Sequence, residues 1–160
     1  MEDRGAPMFK LLTELFRESY QGVKPGADGT WYVQGKEAIF PTLREVTGEE
    51  ASRPIKGSRA TLADHAWHTC YYLTLLNQNI RGEHPRPDWE GSWQHGPFSN
   101  EEWQVFLSQF EEEFETCYAW YQRGELPDED DALMFSMANV AHAAFHLGAM
   151  RVLLGLIRVG

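Results

Sequence analysis

A chain of 160 residues that is 42% hydrophobic and 13% aromatic has enough core-forming side chains for one folded domain, expected to span residues 1–160, and too many to remain disordered. Its 14 Lys and Arg against 24 Asp and Glu give a formal charge of −10, which opposes binding to a phosphate backbone unless basic residues are concentrated somewhere, and no such patch is visible. No apolar run reads as a membrane span, and Met1 to Pro7 lacks a hydrophobic stretch leading to a small-residue cleavage site, so a cytoplasmic protein without membrane or nucleic-acid partners is expected.

Met8, Leu12, Leu15 and Phe16 recur on one face of the first segment, with Lys10, Glu14, Arg17 and Glu18 largely opposite, which predicts an amphipathic helix over 8–20. Residues 22–35 carry four glycines and a proline and predict a long connection, ending near Trp31 and Tyr32, whose tip packs on the helices. Residues 36–46 read as a shorter helix bent at Pro41, and Thr47-Gly-Glu-Glu50 has capping-box spacing for one more turn. The same spacing in Thr61-Leu-Ala-Asp64, with Gly82 as a stop, predicts a helix from about Leu62 to Arg81. Residues 83–98 combine three prolines, two glycines, Trp89 and Trp93, the composition of an ordered loop with large aromatic faces to bury.

Ser99-Asn-Glu-Glu102 is a further capping box, opening a helix in which Trp103, Phe106, Phe110, Phe114 and Cys117 recur at three- and four-residue steps while Glu111, Glu112, Glu113 and Glu115 mostly face away. The acids from Asp128 to Asp131 suit the positive end of a last helix reaching nearly to Gly160, with Arg151 and Arg158 in its C-terminal turns. With no internal repeat and no strand alternation, the expected fold is all-α, an antiparallel four-helix bundle with ordered connecting loops.

Cys70 and Cys117 lie far apart in predicted helices and read as buried thiols rather than a disulfide. Cys70 follows His68 by two residues, about 200° around a helix, and so does not share its face. His142 and His146 are four residues apart, about 40° and about 6 Å along one helix, a placement from which two imidazoles can hold one metal ion. HxxxH also occurs in helices that bind nothing, and a third ligand has to come from elsewhere. His84 and His95 fall in the Pro/Gly-rich loop, whereas His65 and His68 lie on the second main helix, where they are either ligands or core histidines satisfied by neighbours.

The segment Leu62-Ala-Asp-His-Ala-Trp-His-Thr-Cys-Tyr-Tyr-Leu73, running on to Ile80-Arg-Gly82, resembles the second-helix histidine motif of the DinB-like (DNA-damage-inducible, YfiT-like) family. Asn139-Val-Ala-His-Ala-Ala-Phe-His-Leu-Gly148 resembles that family's last-helix motif, and Gly91-Ser-Trp93 and Glu101-Glu-Trp103 extend the resemblance over most of the chain from about Lys36. The resemblance implies a four-helix bundle, often a homodimer, in which three histidines hold a divalent ion such as zinc or nickel and leave positions open. It puts the metal role on His68, His142 and His146. His68 rather than His65 takes the helix-two position, because a small residue and then Tyr71-Tyr72 follow it. His65, three residues earlier on nearly the same face, remains an alternative ligand or a hydrogen-bonding neighbour of one.

An ion held by three histidines keeps a position free, where a water is acidified to about pH 7 or a thiol is held as its thiolate. The expected function is therefore a metal-dependent enzyme acting on a small-molecule substrate. The resemblance implies a transferase of a low-molecular-weight thiol to an electrophile, or a hydrolase. The alternative is a non-catalytic, stress-associated metal-binding protein with a closed coordination shell. DNA binding, suggested only by the family's historical name, conflicts with the charge. Imidazole ligands alone leave zinc, nickel, copper and iron open. Around the triad, Asp64 reads as a helix cap, Tyr72 as a core aromatic, Asn139 as a neighbour of the ligands, and Arg151 as a partner of the last helix dipole rather than an anion anchor.

Overall fold

Residues 5–34, 36–124 and 130–160 are described by a computed structural model, and among them every regular element is helical. Six helices follow in order: α1 (Gly5–Gln21), α2 (Ile39–Leu43), α3 (Gly48–Ala51), α4 (Leu62–Ile80), α5 (Asn100–Arg123) and α6 (Asp130–Val159), with a 3₁₀ turn at Gly91–Trp93 between α4 and α5. The all-α expectation is met. Asp128 and Glu129 lie outside the described residues, as do the side chains of Met8, Asp130 and Asp131.

All three predicted capping boxes form, at Thr47, Thr61 and Ser99, and each fixes the residue at which its helix begins. At Thr61 the hydroxyl accepts the Asp64 N–H at 3.1 Å, and the Asp64 carboxylate accepts the Thr61 N–H at 2.6 Å. The far ends of α4 and α5 are closed by Gly82 and Gly124 in left-handed backbone, φ 79° and 68°. Pro41 sits at the third position of α2, where its missing N–H has no helical partner to lose.

The long helices share one core. α4 packs most extensively on α6 and also on α5, and α1 packs on both α5 and α6. Trp103, Phe106, Phe110, Phe114 and Cys117 form the buried face of α5, as their spacing predicts. They meet Phe9, Phe16 and Tyr20 of α1, with Phe16 stacked 4.5 Å from Tyr121 and 5.3 Å from Phe114. Each such ring contributes about 1.5–3 kcal/mol by leaving water, the main force closing the helices on one another.

The buried face of α1 differs from the predicted one: Phe9, Thr13, Phe16 and Tyr20 are buried, Leu12 and Leu15 only partly so, and Leu11 is exposed. Glu18, expected on the polar face, is buried because its carboxylate accepts the backbone N–H groups of Trp31, Tyr32 and Val33 at 2.7–2.9 Å and folds the long connection back on α1. Burial pushes that carboxyl up, but the three N–H bonds and the Arg17 charge outweigh it and leave it below its ordinary value. Within the connection Val33 packs inward, while Trp31 and Tyr32, expected to mark the packed tip, stay exposed.

One expectation about α6 needs correction. Its 27 residues Leu133–Val159 are long and apolar enough, by length and composition, to cross a membrane. In the fold they supply the α6 side of the core through Val140, Ala143, Leu147, Met150, Leu153, Leu154 and Ile157.

Candidate metal centre

The cap at Thr61 sets the register of α4 and turns His65, His68 and Tyr72 toward α6. On α6, Asn139 donates to the Tyr72 carbonyl at 3.2 Å, tying the helices together one turn before His142. His68, His142 and His146 consequently converge, one ring nitrogen of each lying within 4.8 Å of the others, close enough to hold one metal ion.

Hydrogen bonding decides which nitrogens face the shared space. The Ser92 hydroxyl donates its single proton to the Trp89 carbonyl at 2.6 Å, so toward His68 Nδ1, 2.9 Å away, it acts as an acceptor. His68 is thereby held as the Nδ1–H tautomer, with the lone pair on Nε2, and that Nε2 is buried without any hydrogen-bond partner. An unpartnered buried acceptor costs stability unless something occupies it. His146 Nδ1 lies 2.8 Å from His65 Nδ1, leaving its Nε2 to face His142 Nε2 at 3.0 Å. Two nitrogens bound to one tetrahedral ion at 2.0–2.1 Å would be about 3.4 Å apart, so small ring rotations suffice to fit one.

The imidazoles are also in the right charge state. Burial, with lesser contributions from neighbouring rings, lowers His68 and His146 to about 4 and about 3, and burial lowers His142 to about 4. All three are neutral at pH 7, as ligation requires. The sign of the linked stability follows: the unfolded chain takes up protons near pH 6.5 and the folded metal-free chain only near pH 4, so stability falls as pH drops through that window. Denaturant midpoints of metal-free protein are expected to decline from about pH 7 to about pH 4.5, and less steeply after His142→Ala with His146→Ala.

The loop between α4 and α5 forms one wall. Trp93 stacks on His68 at 3.9 Å, Trp89 meets it edge-on at 5.0 Å, and Tyr72 lies 4.9 Å from both His68 and His142. The Asp88 carboxylate accepts the Gly91 N–H at 2.9 Å to begin the 3₁₀ turn, and a Cβ at Gly91 would lie 2.5 Å from that carboxylate. His95 Nε2 is 2.8 Å from Asp64 Oδ1, an off-axis charge pair that holds the loop to the start of α4. Burial opposes the charge on His95, but Asp64 and the Gly96 carbonyl raise its pKa above the ordinary value.

The sequence-derived ligand set is brought together intact, and His65 lies behind His146 rather than in the converging group. Asp64 caps α4 as expected and additionally pairs with His95. Tyr72, expected in the core, is half-buried against the triad, and Asn139 bonds the backbone rather than a histidine. Arg151 is neither dipole partner nor anion anchor. It lies 3.4 Å from Glu37 and 3.7 Å from Glu45 and donates to Thr42. Cys117 is buried and Cys70 partly so, on the α5 side of α4, where burial and Glu113 push the Cys70 thiol up to about 12. Ser92 was missed as a site residue, although it sits in the Gly91-Ser-Trp93 segment. Ser92→Ala should lower metal affinity roughly 10–100-fold in competition with a chromophoric chelator, because His68 loses its orienting acceptor.

No family model, curated protein or solved structure matches the chain.

Proposed function

We propose that the protein is a DinB-like antiparallel four-helix bundle working as a metal-dependent enzyme on small molecules, joining a low-molecular-weight thiol to an electrophile, with hydrolysis as the second chemistry. The observation that carries this reading is the buried, unpartnered Nε2 of His68 aimed at two further neutral imidazoles. Zinc or nickel held by these three nitrogens would act as a Lewis acid that lowers the pKa of a thiol or a water. The rest is the work of the chain: Ser92 orients His68, Trp93 covers one face of its ring, and His65 holds His146. Trp89, 61% exposed, stands beside His68 as apolar surface for a substrate. Burial, reinforced by Tyr71, raises the Tyr72 phenol, so its proton is available for a hydrogen bond.

The test is a panel of low-molecular-weight thiols with a model electrophile, read as loss of free thiol, run beside nitrophenyl ester hydrolysis on zinc- and nickel-loaded protein. Turnover that needs both the metal and His68 supports the enzyme. Full metal loading without turnover in either assay favours the stress-associated, non-catalytic metal protein. We also infer a homodimer through the exposed apolar face of the first half of α6, Met134, Met137 and Phe145. Phe145→Glu should then halve the mass in light scattering.

A further inference from the structure

The loop segment 88–95 is fastened to α4 at both ends. Tyr71 Oη accepts the Asp88 N–H at 2.9 Å, and the Asp64 carboxylate pairs with His95 Nε2 at 2.8 Å. Asp64 and Tyr71 are seven residues apart, so they stand within about 20° of each other around α4 and about 10 Å apart along its axis. His68 lies between them, four residues after one and three before the other, on nearly the same face. Seven residues of extended chain would span about 23 Å, more than twice the spacing of the two anchoring residues, so the segment cannot run straight. The 3₁₀ turn Gly91–Trp93 takes up the slack, and that turn brings Ser92 to His68 Nδ1 and Trp93 onto the imidazole at 3.9 Å.

Asp88 is the joint between the helix and the turn. Its N–H goes to Tyr71, its carboxylate accepts the Gly91 N–H at 2.9 Å, and its carbonyl accepts the Ser92 N–H at 3.0 Å. Pro85 and Pro87 before it have no N–H, so the stretch leading into the turn has few other groups with which to hold the helix. Ser92 and His68 are both fully buried, so no water is at hand to replace the Ser92 oxygen if the turn drifts.

We propose that Tyr71 is a positioning residue of the metal centre: its hydroxyl, through Asp88, holds the Ser92 oxygen on His68 Nδ1 and so keeps His68 Nε2 turned toward His142 and His146. This rests on the metal-binding reading above. The effect is carried by three hydrogen bonds in series, Tyr71 to Asp88, Asp88 to Ser92 and Ser92 to His68. The phenol ring of Tyr71 packs edge-on against Tyr72 at 5.4 Å, so Tyr71→Phe removes the hydroxyl and keeps the packing.

The experiment uses zinc alone, competed against a chromophoric chelator, on wild type, Tyr71→Phe, Ser92→Ala and the double variant, and follows the ring nitrogens of His68 by NMR in the metal-free protein. Tyr71→Phe is expected to weaken zinc binding about two- to tenfold, the worth of one net hydrogen bond. It should also convert part of His68 from the Nδ1–H to the Nε2–H tautomer, and cost nothing further once Ser92 is alanine. An equal loss of affinity in the Ser92→Ala background overturns the proposal. So does a loss of affinity with the His68 ring unmoved, since either result makes Tyr71 a general support of the fold. A His68 ring that responds to Tyr71→Phe in a chain that takes up no zinc leaves the positioning of that ring standing and removes the metal-binding reading. Zinc bound by Tyr71→Phe with wild-type affinity does the reverse.

Discussion

Replacing His142 and His146 together by alanine is expected to take bound zinc or nickel from about one equivalent per chain to background, with the helical content retained. The expectation of a folded variant comes from where α6 buries its surface: Ala143, Leu147, Met150, Leu153, Leu154 and Ile157 carry the packing, while His142 is only half-buried and His146 is one buried side chain beside them. In the wild type, an ion present at a thousand times its dissociation constant adds about 4 kcal/mol to the folded state. For a chain of this size that raises Tm by roughly 10 °C. Metal addition should therefore shift the melting of the wild type and leave that of the double variant in place. Wild-type protein that takes up no metal even from excess zinc or nickel would return these histidines to the role of core residues and leave His68 Nε2 without an explanation.

The parts of this site that were legible in the sequence are those fixed by helical spacing. Two imidazoles four residues apart on α6 share a face in any straight helix, and the Thr61–Asp64 box turns both His65 and His68 of α4 toward one side, but spacing left the choice between those two open and only the resemblance pointed to His68. The face of α5 was legible for the same reason, through aromatic residues at three- and four-residue steps. What spacing does not contain is the conformation of residues 83–98. Ser92 acts through a 3₁₀ turn set by Asp88 and Gly91, and His95 reaches Asp64 across 31 positions, neither of which is a helical period. The α1 face was misread because periodicity treats Glu18 as a charge seeking water. The three backbone N–H groups that satisfy it come from a connection whose path is not periodic. Arg151 was misread similarly, since the acids that hold it belong to residues 37–45 and not to its own helix.

The largest loss of stability is expected from the smallest change, Gly48→Ala. A Cβ on Gly48 would lie 2.3 Å from the Ser99 carbonyl oxygen, 2.8 Å from its carbon and 2.9 Å from the Phe98 oxygen, all backbone atoms with no rotamer to escape into. That Ser99 oxygen already accepts the Trp103 N–H at 2.9 Å, the first bond of α5, and Asn100 accepts the Gly48 N–H at 3.0 Å. The start of α5 would have to move off α3, dislodging the fully buried Trp103 behind it. Overpacking of this kind costs about 1–3 kcal/mol where side chains yield, and more where only backbone can, so a loss of about 3 kcal/mol or above is expected in urea denaturation. The centre should feel it as well. Phe98 N–H is held by Ser52 at 2.9 Å beside α3, so the loop that carries Ser92 to His68 is anchored at the same junction, and metal affinity should fall along with stability. Gly148→Ala is the control of opposite sign: with open space around its Cβ, it should gain roughly 0.5–1 kcal/mol. If both variants instead lay within about 0.5 kcal/mol of wild type, the close approach of α3 to the start of α5 would be wrong, and with it the anchoring of the loop.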